Sequence, residues 1–486
     1  MNKIYLYNSL TRKKEEFKPI RTSPQPSPCK GEGVVGIYTC GPTVYNYAHI
    51  GNLRSYVFAD LLVRTLRYNY GEKNVNWVMN ITDVDDKTIR DSKVKYPDLA
   101  PAEALKKFTA EFEKYFWQDL EKLNIAKPDF ITHAADKKYI DKMQDLVKKI
   151  FVAGYAYIKD GSVYFDVVKY SKKYKYGLLV DIDVSKLKSD ERIDNDEYEK
   201  DNVQDFVLWK GEKDGEPFWE FELDGQKLPG RPGWHIECSA MGEAELKMPF
   251  DIHTGGIDLK FPHHENEIHQ SVIGYQCAKP VNYWLHNEHL LVDGQRMGKR
   301  FNNFYTIKDL EAKGINPLAY RFLCLQTGYG KVMNFTWEAL EAAENGLKNL
   351  YSQISNIRSV DYCNGVYSKY GEIKKDSNFK NDFLAAINDD LNMPKALAVV
   401  QELLKSDVKN ENKFGTILDF DAVLGLNIEL MSMFDMTNPE IRKLLDERQI
   451  AREKKDFKES DRLRDKIEKL GCIVKDIKDG QNISKK

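Results

Sequence analysis

At 486 residues the chain is too long for a single hydrophobic core and divides into about two to four domains. Hydrophobic residues at 42% and charged residues at 30% describe an ordinary globular composition, and no apolar run reaches membrane-spanning length or forms a signal-peptide pattern. Net charge is −2, so a nucleic-acid partner must be met by a local basic surface. The seven cysteines (Cys29, Cys40, Cys238, Cys277, Cys324, Cys363 and Cys472) are odd in number and scattered, which argues for a reducing cytosol and for thiols used singly or as metal ligands. The expectation is a cytoplasmic monomer with no membrane association.

In chain order, residues 22–33 are rich in proline, glycine and serine and read as a surface insertion between two strands. An apolar run from Val34 to Thr39 follows, then Cys40-Gly41-Pro42-Thr43-Val44-Tyr45-Asn46-Tyr47-Ala48-His49-Ile50-Gly51-Asn52. Val57, Phe58, Leu61, Leu62 and Leu66 then recur at helical spacing up to Gly71, and a second apolar run spans Val75 to Met79. Strand, loop, helix, strand is the first half of a nucleotide-binding parallel sheet, whose loops bind ligands at the carboxyl edge. His49 at a helix start can meet phosphates, because free amides and the helix dipole favour negative charge there. Gly51 would let a base approach the backbone closely. A capped helix with a core histidine would produce the same string.

From Ala102 to Ile125 and from Pro128 to Phe151 the pattern is helical. Tyr155 to Phe165 alternates as a hairpin around Asp160-Gly161, and a charged stretch runs from Ser185 to Asn202. This region reads as an insertion that splits the sheet domain. Chemistry-bearing residues resume at Gly230-Arg231-Pro232-Gly233-Trp234-His235-Ile236-Glu237-Cys238, at Asp251-Ile252-His253-Thr254-Gly255-Gly256-Ile257-Asp258, and at Phe261-Pro262-His263-His264-Glu265-Asn266-Glu267-Ile268-His269. On a helix, His263 with Glu267, or Glu265 with His269, could chelate one ion, and spacing alone does not choose between them. A zinc-protease H-E-x-x-H is excluded, because Ile268 stands where its second histidine would be. From about Pro317 the pattern is helical to the end, with Asn392 and Pro394 starting one helix and Ile441, Leu444 and Leu445 marking another. The segment from Ala451 to Lys486 carries 12 Lys and Arg against 8 Asp and Glu, a basic tail suited to RNA phosphates.

Taken together, the Cys40 to Asn52 block, N-I-T-D-V-D-D-K at Asn80 to Lys87, D-F-V-L-W-K at Asp205 to Lys210, G-R-P-G-W-H-I-E-C-S-A-M from Gly230 and F-P-H-H-E-N-E-I from Phe261 resemble the bacterial-type cysteinyl-tRNA synthetases, with H-I-G-N standing for the H-I-G-H element of class I enzymes. The resemblance covers nearly the whole chain in the same order. It implies an α/β fold: a Rossmann-type catalytic domain in two halves (1–125 and 229–285) around a connective insertion (126–228), a connecting segment (286–335), an all-α bundle (336–436) and a small anticodon-binding domain (437–486).

The resemblance also implies a reaction: ATP-dependent activation of L-cysteine and transfer to the 3′ end of tRNA(Cys). Cys40, Cys238, His263 and Glu267 would hold a single Zn2+, joined by the substrate thiolate. A soft metal prefers sulfur to the oxygen of serine, so no editing domain is implied. Thr43 and Trp234 would wall the cysteine pocket, with His253 nearby. His49, Asn52 and Lys299 would act on the triphosphate with Mg2+, and Gly51, Asp258 and Met297 would complete the ATP site. Lys299 matches the second lysine of the mobile K-M-S-K-S loop, although Arg296, Gly298 and Arg300 depart from that motif and remove two hydroxyls. The tail lacks the tryptophan often found near the family's C-terminus. A cysteine ligase of mycothiol synthesis would share the pocket, but that family lacks a full anticodon domain. A catalytically weak RNA-binding paralogue is the remaining alternative.

Overall fold

The computed structural model describes residues 3–20, 35–180, 205–298, 303–357, 375–429, 439–477 and 480–485. It separates into two compact units, the first comprising Met1–Pro317, Thr327–Thr336 and Asn388–Leu391, the second the remainder.

The first unit is built on five parallel strands: β1 (Val35–Thr39), β2 (Val75–Ile81), β3 (Phe130–His133), β4 (Phe250–Gly256) and β5 (Val281–Asn287), in the spatial order β5-β4-β1-β2-β3. Their near-continuous burial is what helices on both faces of a parallel sheet require. The chain leaves β1 toward β2 on one side, while β4 pairs with the other side. The carboxyl ends of β1 and β4 thus flank the crevice where such sheets bind ligands. Helix α1 (Ile50–Tyr70) connects β1 to β2, buries Val57, Phe58, Leu61, Leu62 and Leu66 as the periodicity predicts, and ends at Gly71.

One sequence expectation fails here. The stretch from Pro128 to Phe151 is not continuously helical, because Phe130–His133 forms the edge strand β3, and a helix begins only at Lys137. Four residues are too few for periodicity to separate a strand from the flanking helical pattern. The hairpin expectation holds: Ala156–Lys159 pairs antiparallel with Ser162–Phe165, turning through Asp160 and Gly161 at φ 49° and 75°. With Phe206–Gly211 and Gly230–Pro232 these form a separate four-stranded sheet. Lys210 and Arg231 of that sheet both reach the carboxylate of Asp86, just beyond β2. The proline- and glycine-rich stretch and the whole charged stretch lie outside the described residues.

In the second unit, Asn392 caps the helix Met393–Lys405 by accepting from Lys395 N–H, as the sequence indicates. The tail corrects the sequence reading. After helices Pro439–Glu453 and Phe457–Lys469 it ends in an antiparallel pair, Cys472–Ile477 with Gly480–Lys485, rather than in helix. Ile441, Leu444, Leu445, Leu463, Ile467, Cys472 and Val474 give this terminal piece a small core of its own.

Candidate active site and metal group

The loops after β1 and β4 open into a cavity of about 550 Å³. Gly41 shapes its floor: a Cβ there would lie 1.5 Å from the Asn80 carbonyl oxygen, and the Gly41 N–H donates to Asn80 Oδ1 at 2.8 Å. Only glycine lets the loop run this close to the end of β2.

One end of the cavity is set by the start of α1. His49 is the N-cap, its Nδ1 accepting from Asn52 N–H at 3.0 Å while Asn52 Oδ1 accepts from His49 N–H. Because Nδ1 accepts, the ring proton belongs on Nε2. Burial lowers the His49 pKa to about 4, so the imidazole is neutral near pH 7, a donor beside a positive helix terminus. Gly51, Asn52, Asp258 and Met297 line this end. A Cβ on Gly51 would press on the His49 ring at 2.9 Å, so the glycine also keeps the cap in place. Arg54, buried one turn further on, donates to the carbonyls of Glu288 (2.7 Å), His289 (2.6 Å) and Lys331 (2.5 Å), tying α1 to the chain just after β5 and to Lys331. Asn303 closes the base of the Arg296 to Arg300 loop, accepting from Gly298 N–H and donating to Arg296 O.

At the other end, Cys40 follows β1, Cys238 lies on α2 (Trp234–Leu246), and His263 and Glu267 share a face of α3 (His263–Gly274). Cys40 Sγ is 3.7 Å from Cys238 Sγ, Cys238 Sγ 3.5 Å from His263 Nε2, and His263 Nε2 3.0 Å from Glu267 Oε1. Tetrahedral Zn2+ with its usual bond lengths sets sulfur–sulfur and sulfur–nitrogen edges of roughly 3.7 and 3.5 Å. Two thiols, an imidazole and a carboxylate, all buried, therefore suit such an ion in chemistry and spacing. The donors that all lie within 4.8 Å of one another are those of Cys40, His263, His264 and Glu267; His264 Nε2 is 3.3 Å from Cys40 Sγ, and Cys238 adjoins this cluster through Cys40 and His263.

The surrounding contacts aim these donors. His253 Nε2 lies 3.0 Å from Glu267 Oε2, His235 Nδ1 3.1 Å from His263 Nδ1, and His264 Nδ1 2.8 Å from His286 Nε2, which continues to Ser9 Oγ. Trp234 stacks on His263 at 4.2 Å. Burial opposes the charge on Glu267, but His253 and His263 outweigh it and hold the carboxyl at about 2. Burial likewise opposes the Cys238 thiolate, yet Cys40 and His263 bring it to about 6, while burial pushes the Cys40 thiol up. The pair thus ionises first at Cys238, the sulfur nearer the His263 cation.

The structure brings Cys40, Thr43, His49, Gly51, Asn52, Trp234, Asp258 and Met297 to one cavity, with Cys238, His263 and Glu267 behind its floor. His253 does not line the cavity and reaches the site through Glu267. Lys299 and Arg300 lie outside the described residues. Sequence reasoning left His264, His286, Arg54 and Asn303 without roles. The density of histidines from Phe261 to His269 pointed to the first, whereas nothing local marks a buried arginine whose acceptors are distant backbone carbonyls.

Comparison with known proteins gives the family. A family model described as the tRNA synthetases class I (C) catalytic domain matches residues 27–345, and one described as the cysteinyl-tRNA ligase anticodon binding domain matches residues 437–483. Among curated relatives, a cysteine–tRNA ligase of Leptospira interrogans is 42% identical with 100% of both chains covered, one of Brachyspira hyodysenteriae 39% with 99% of both, and one of Chlamydia muridarum 40% with 99% of both. The fold is shared with Mycobacterium tuberculosis methionyl-tRNA synthetase in complex with methionyl-adenylate, at TM-score 0.52 and 14% identity over 85% of this chain and 94% of that one. It is also shared with the LeuRS of an Agrobacterium radiobacter ternary complex, at TM-score 0.57 and 10% identity over 86% of each. With a catalytic-domain model and an anticodon-domain model matched in order and relatives near 40% identity over the full chain, the chain belongs to the cysteine–tRNA ligase family of class I aminoacyl-tRNA synthetases.

Proposed function

We propose that the protein activates L-cysteine with ATP and transfers it to the 3′ end of tRNA(Cys). The observation that carries this reading is one cavity with a buried thiol–imidazole–carboxylate group at one end and a neutral, capped histidine at a helix N-terminus at the other. Cys40, Cys238, His263 and Glu267 would hold Zn2+, which when bound supplies a soft Lewis acid that prefers a thiolate to an alcohol. Trp234 and Thr43 wall the small space in front of that group and exclude larger side chains. His253 holds Glu267 in place, and His264 Nε2 stands against the Cys40 sulfur.

The remaining chemistry needs no protein nucleophile, since the amino-acid carboxylate attacks the α-phosphate and the enzyme positions and neutralises charge. His49 Nε2–H and the free amides of α1 meet the triphosphate with its Mg2+, Lys299 neutralises charge on the departing pyrophosphate, and Gly51, Asp258 and Met297 hold the adenosine. The domain division 1–125, 126–228, 229–285, 286–335, 336–436 and 437–486 is proposed with it, the basic terminal piece meeting the anticodon. Cysteine-dependent exchange of pyrophosphate into ATP, followed by charging of transcribed tRNA(Cys), tests the reading. Exchange without charging would favour a ligase with another acceptor, and absence of both the non-catalytic alternative.

A further inference from the structure

The cavity has a third arm that neither cysteine nor ATP requires. Tyr45, Tyr47, Lys87 and Phe112 line it, with Phe116 beneath. The Lys87 ammonium stands 5.1 Å from the centre of the Tyr45 ring, and Lys308 stands 4.2 Å from the ring centres of both Tyr47 and Tyr115. Tyr47 is also braced by Phe112 and Tyr115 at 5.6 and 4.8 Å. No other ring among the described residues packs on Tyr45. Both lysines are exposed and the three lining rings are partly so. Of the acidic groups nearby, Asp86 is engaged with Lys210 and Arg231, Glu111 with Lys95, Glu311 with Lys122 and Asp85 with the Lys87 N–H, while the buried Asp119 carboxyl lies within the fields of Lys122 and Lys308.

Partly exposed aromatic faces interleaved with cations form a surface for unstacked bases and the phosphates between them. An amino acid as small as cysteine cannot cover these rings, and the residues proposed for adenosine, Gly51, Asp258 and Met297, are other members of the lining. We propose that this arm seats the unpaired 3′ end of the tRNA, a terminal base stacking on Tyr45 and adjoining phosphates meeting Lys87 and Lys308. The proposal rests on the reaction above and makes Tyr45 and Lys87 positioning residues for the transfer step.

The test compares two rates in each variant: cysteine-dependent pyrophosphate exchange, and single-turnover transfer from preformed enzyme-bound adenylate to transcribed tRNA(Cys). Tyr45→Ala should slow transfer at least ~10-fold more than exchange, the scale of one lost stacking contact, and Tyr45→Trp should restore transfer. Lys87→Gln should weaken tRNA binding and lessen its salt dependence, and a tRNA lacking its unpaired 3′ nucleotides should bind wild type and Tyr45→Ala equally. Equal losses in exchange and transfer, or transfer unchanged in Tyr45→Ala and Lys87→Gln, would overturn the assignment. Absence of exchange in the wild type would instead sink the underlying reaction.

Discussion

His269 Nε2 lies 2.6 Å from Glu265 Oε1, one turn away on α3, and the same carboxylate accepts the N–H groups of Gly177, Leu178 and Leu179 at 2.7–2.9 Å. Of the two pairs that spacing left open, this one clips Gly177, Leu178 and Leu179 of the inserted region to α3, and His263 with Glu267 faces the thiols. Glu265→Ala should therefore leave two buried donors, Gly177 and Leu179 N–H, and the part-buried Leu178 N–H without their acceptor, at roughly 1–3 kcal/mol for each one that water does not reach. Urea unfolding should show the loss, with faster amide exchange at 177–179. Metal content should stay at the wild-type level, and a fall matching that of Glu267→Ala would assign Glu265 to the ion instead.

The metal group predicts its own measurement. Purified protein should retain Zn2+, and Cys238→Ser should lower that retention, because an alcohol replaces the thiol that ionises first. Discrimination of cysteine from serine in pyrophosphate exchange should narrow in parallel. Retention should also weaken as pH falls, since each ligand must lose its proton to bind. Unaltered zinc content in Cys238→Ser would remove this residue from the ligand set.

Lys299→Ala should slow adenylate formation by about 10²-fold or more with cysteine affinity near normal, as its ammonium acts on charge that develops in the transition state. Asn303→Ala frees the base of the same loop and should shift the same rate in the same direction by less. A matched loss of cysteine affinity in Lys299→Ala would contradict the assigned role.

Asp86 bears on acid stability. Burial opposes its charge, but Lys210 and Arg231 outweigh it and hold the carboxyl at about 2 against an ordinary 3.8. A depressed carboxyl stabilises the fold above its unfolded value, so the contribution is present above about pH 4 and is lost as pH falls through about 2. Asp86→Asn should flatten the acid limb of the stability curve in that window. At neutral pH it should cost less than the ~3–5 kcal/mol of a fully buried pair, since the Asp86 side chain remains 42% exposed. Identical acid limbs for the two proteins would sink the assignment.

Removing residues from about Asn438 onward should spare exchange and cripple charging. The terminal core of Ile441, Leu463 and Val474 is separate, and the basic tail is suited to RNA phosphates. A soluble, folded truncation that loses both activities would contradict the domain division.

Much of this architecture was legible because its signals are local. The helix after His49 shows in the spacing of Val57, Leu61 and Leu62, and the hairpin in Asp160-Gly161 between alternating runs. The strand Phe130–His133 was hidden because its identity comes from pairing with β2, and the tail hairpin because Cys472 to Ile477 follows a long helical pattern. The ligand blocks could be recognised one by one, but their juxtaposition depends on sheet order. So do the bonds from Arg54 to carbonyls more than 230 positions away, which no window of sequence contains.

The order of the sheet also sets a timetable. Strand β1 borders β2, made soon after it, and β4, whose Thr254 lies 215 residues beyond Thr39. At ordinary ribosomal speeds of about 5–20 residues per second, β1 waits roughly 10–40 s with one edge unpaired, and the Cys40 thiol waits as long for its neighbours on α2 and α3. The nascent first half is thus a sticky-edged, oxidisable intermediate, and chaperone demand and thiol damage during synthesis should concentrate in that interval.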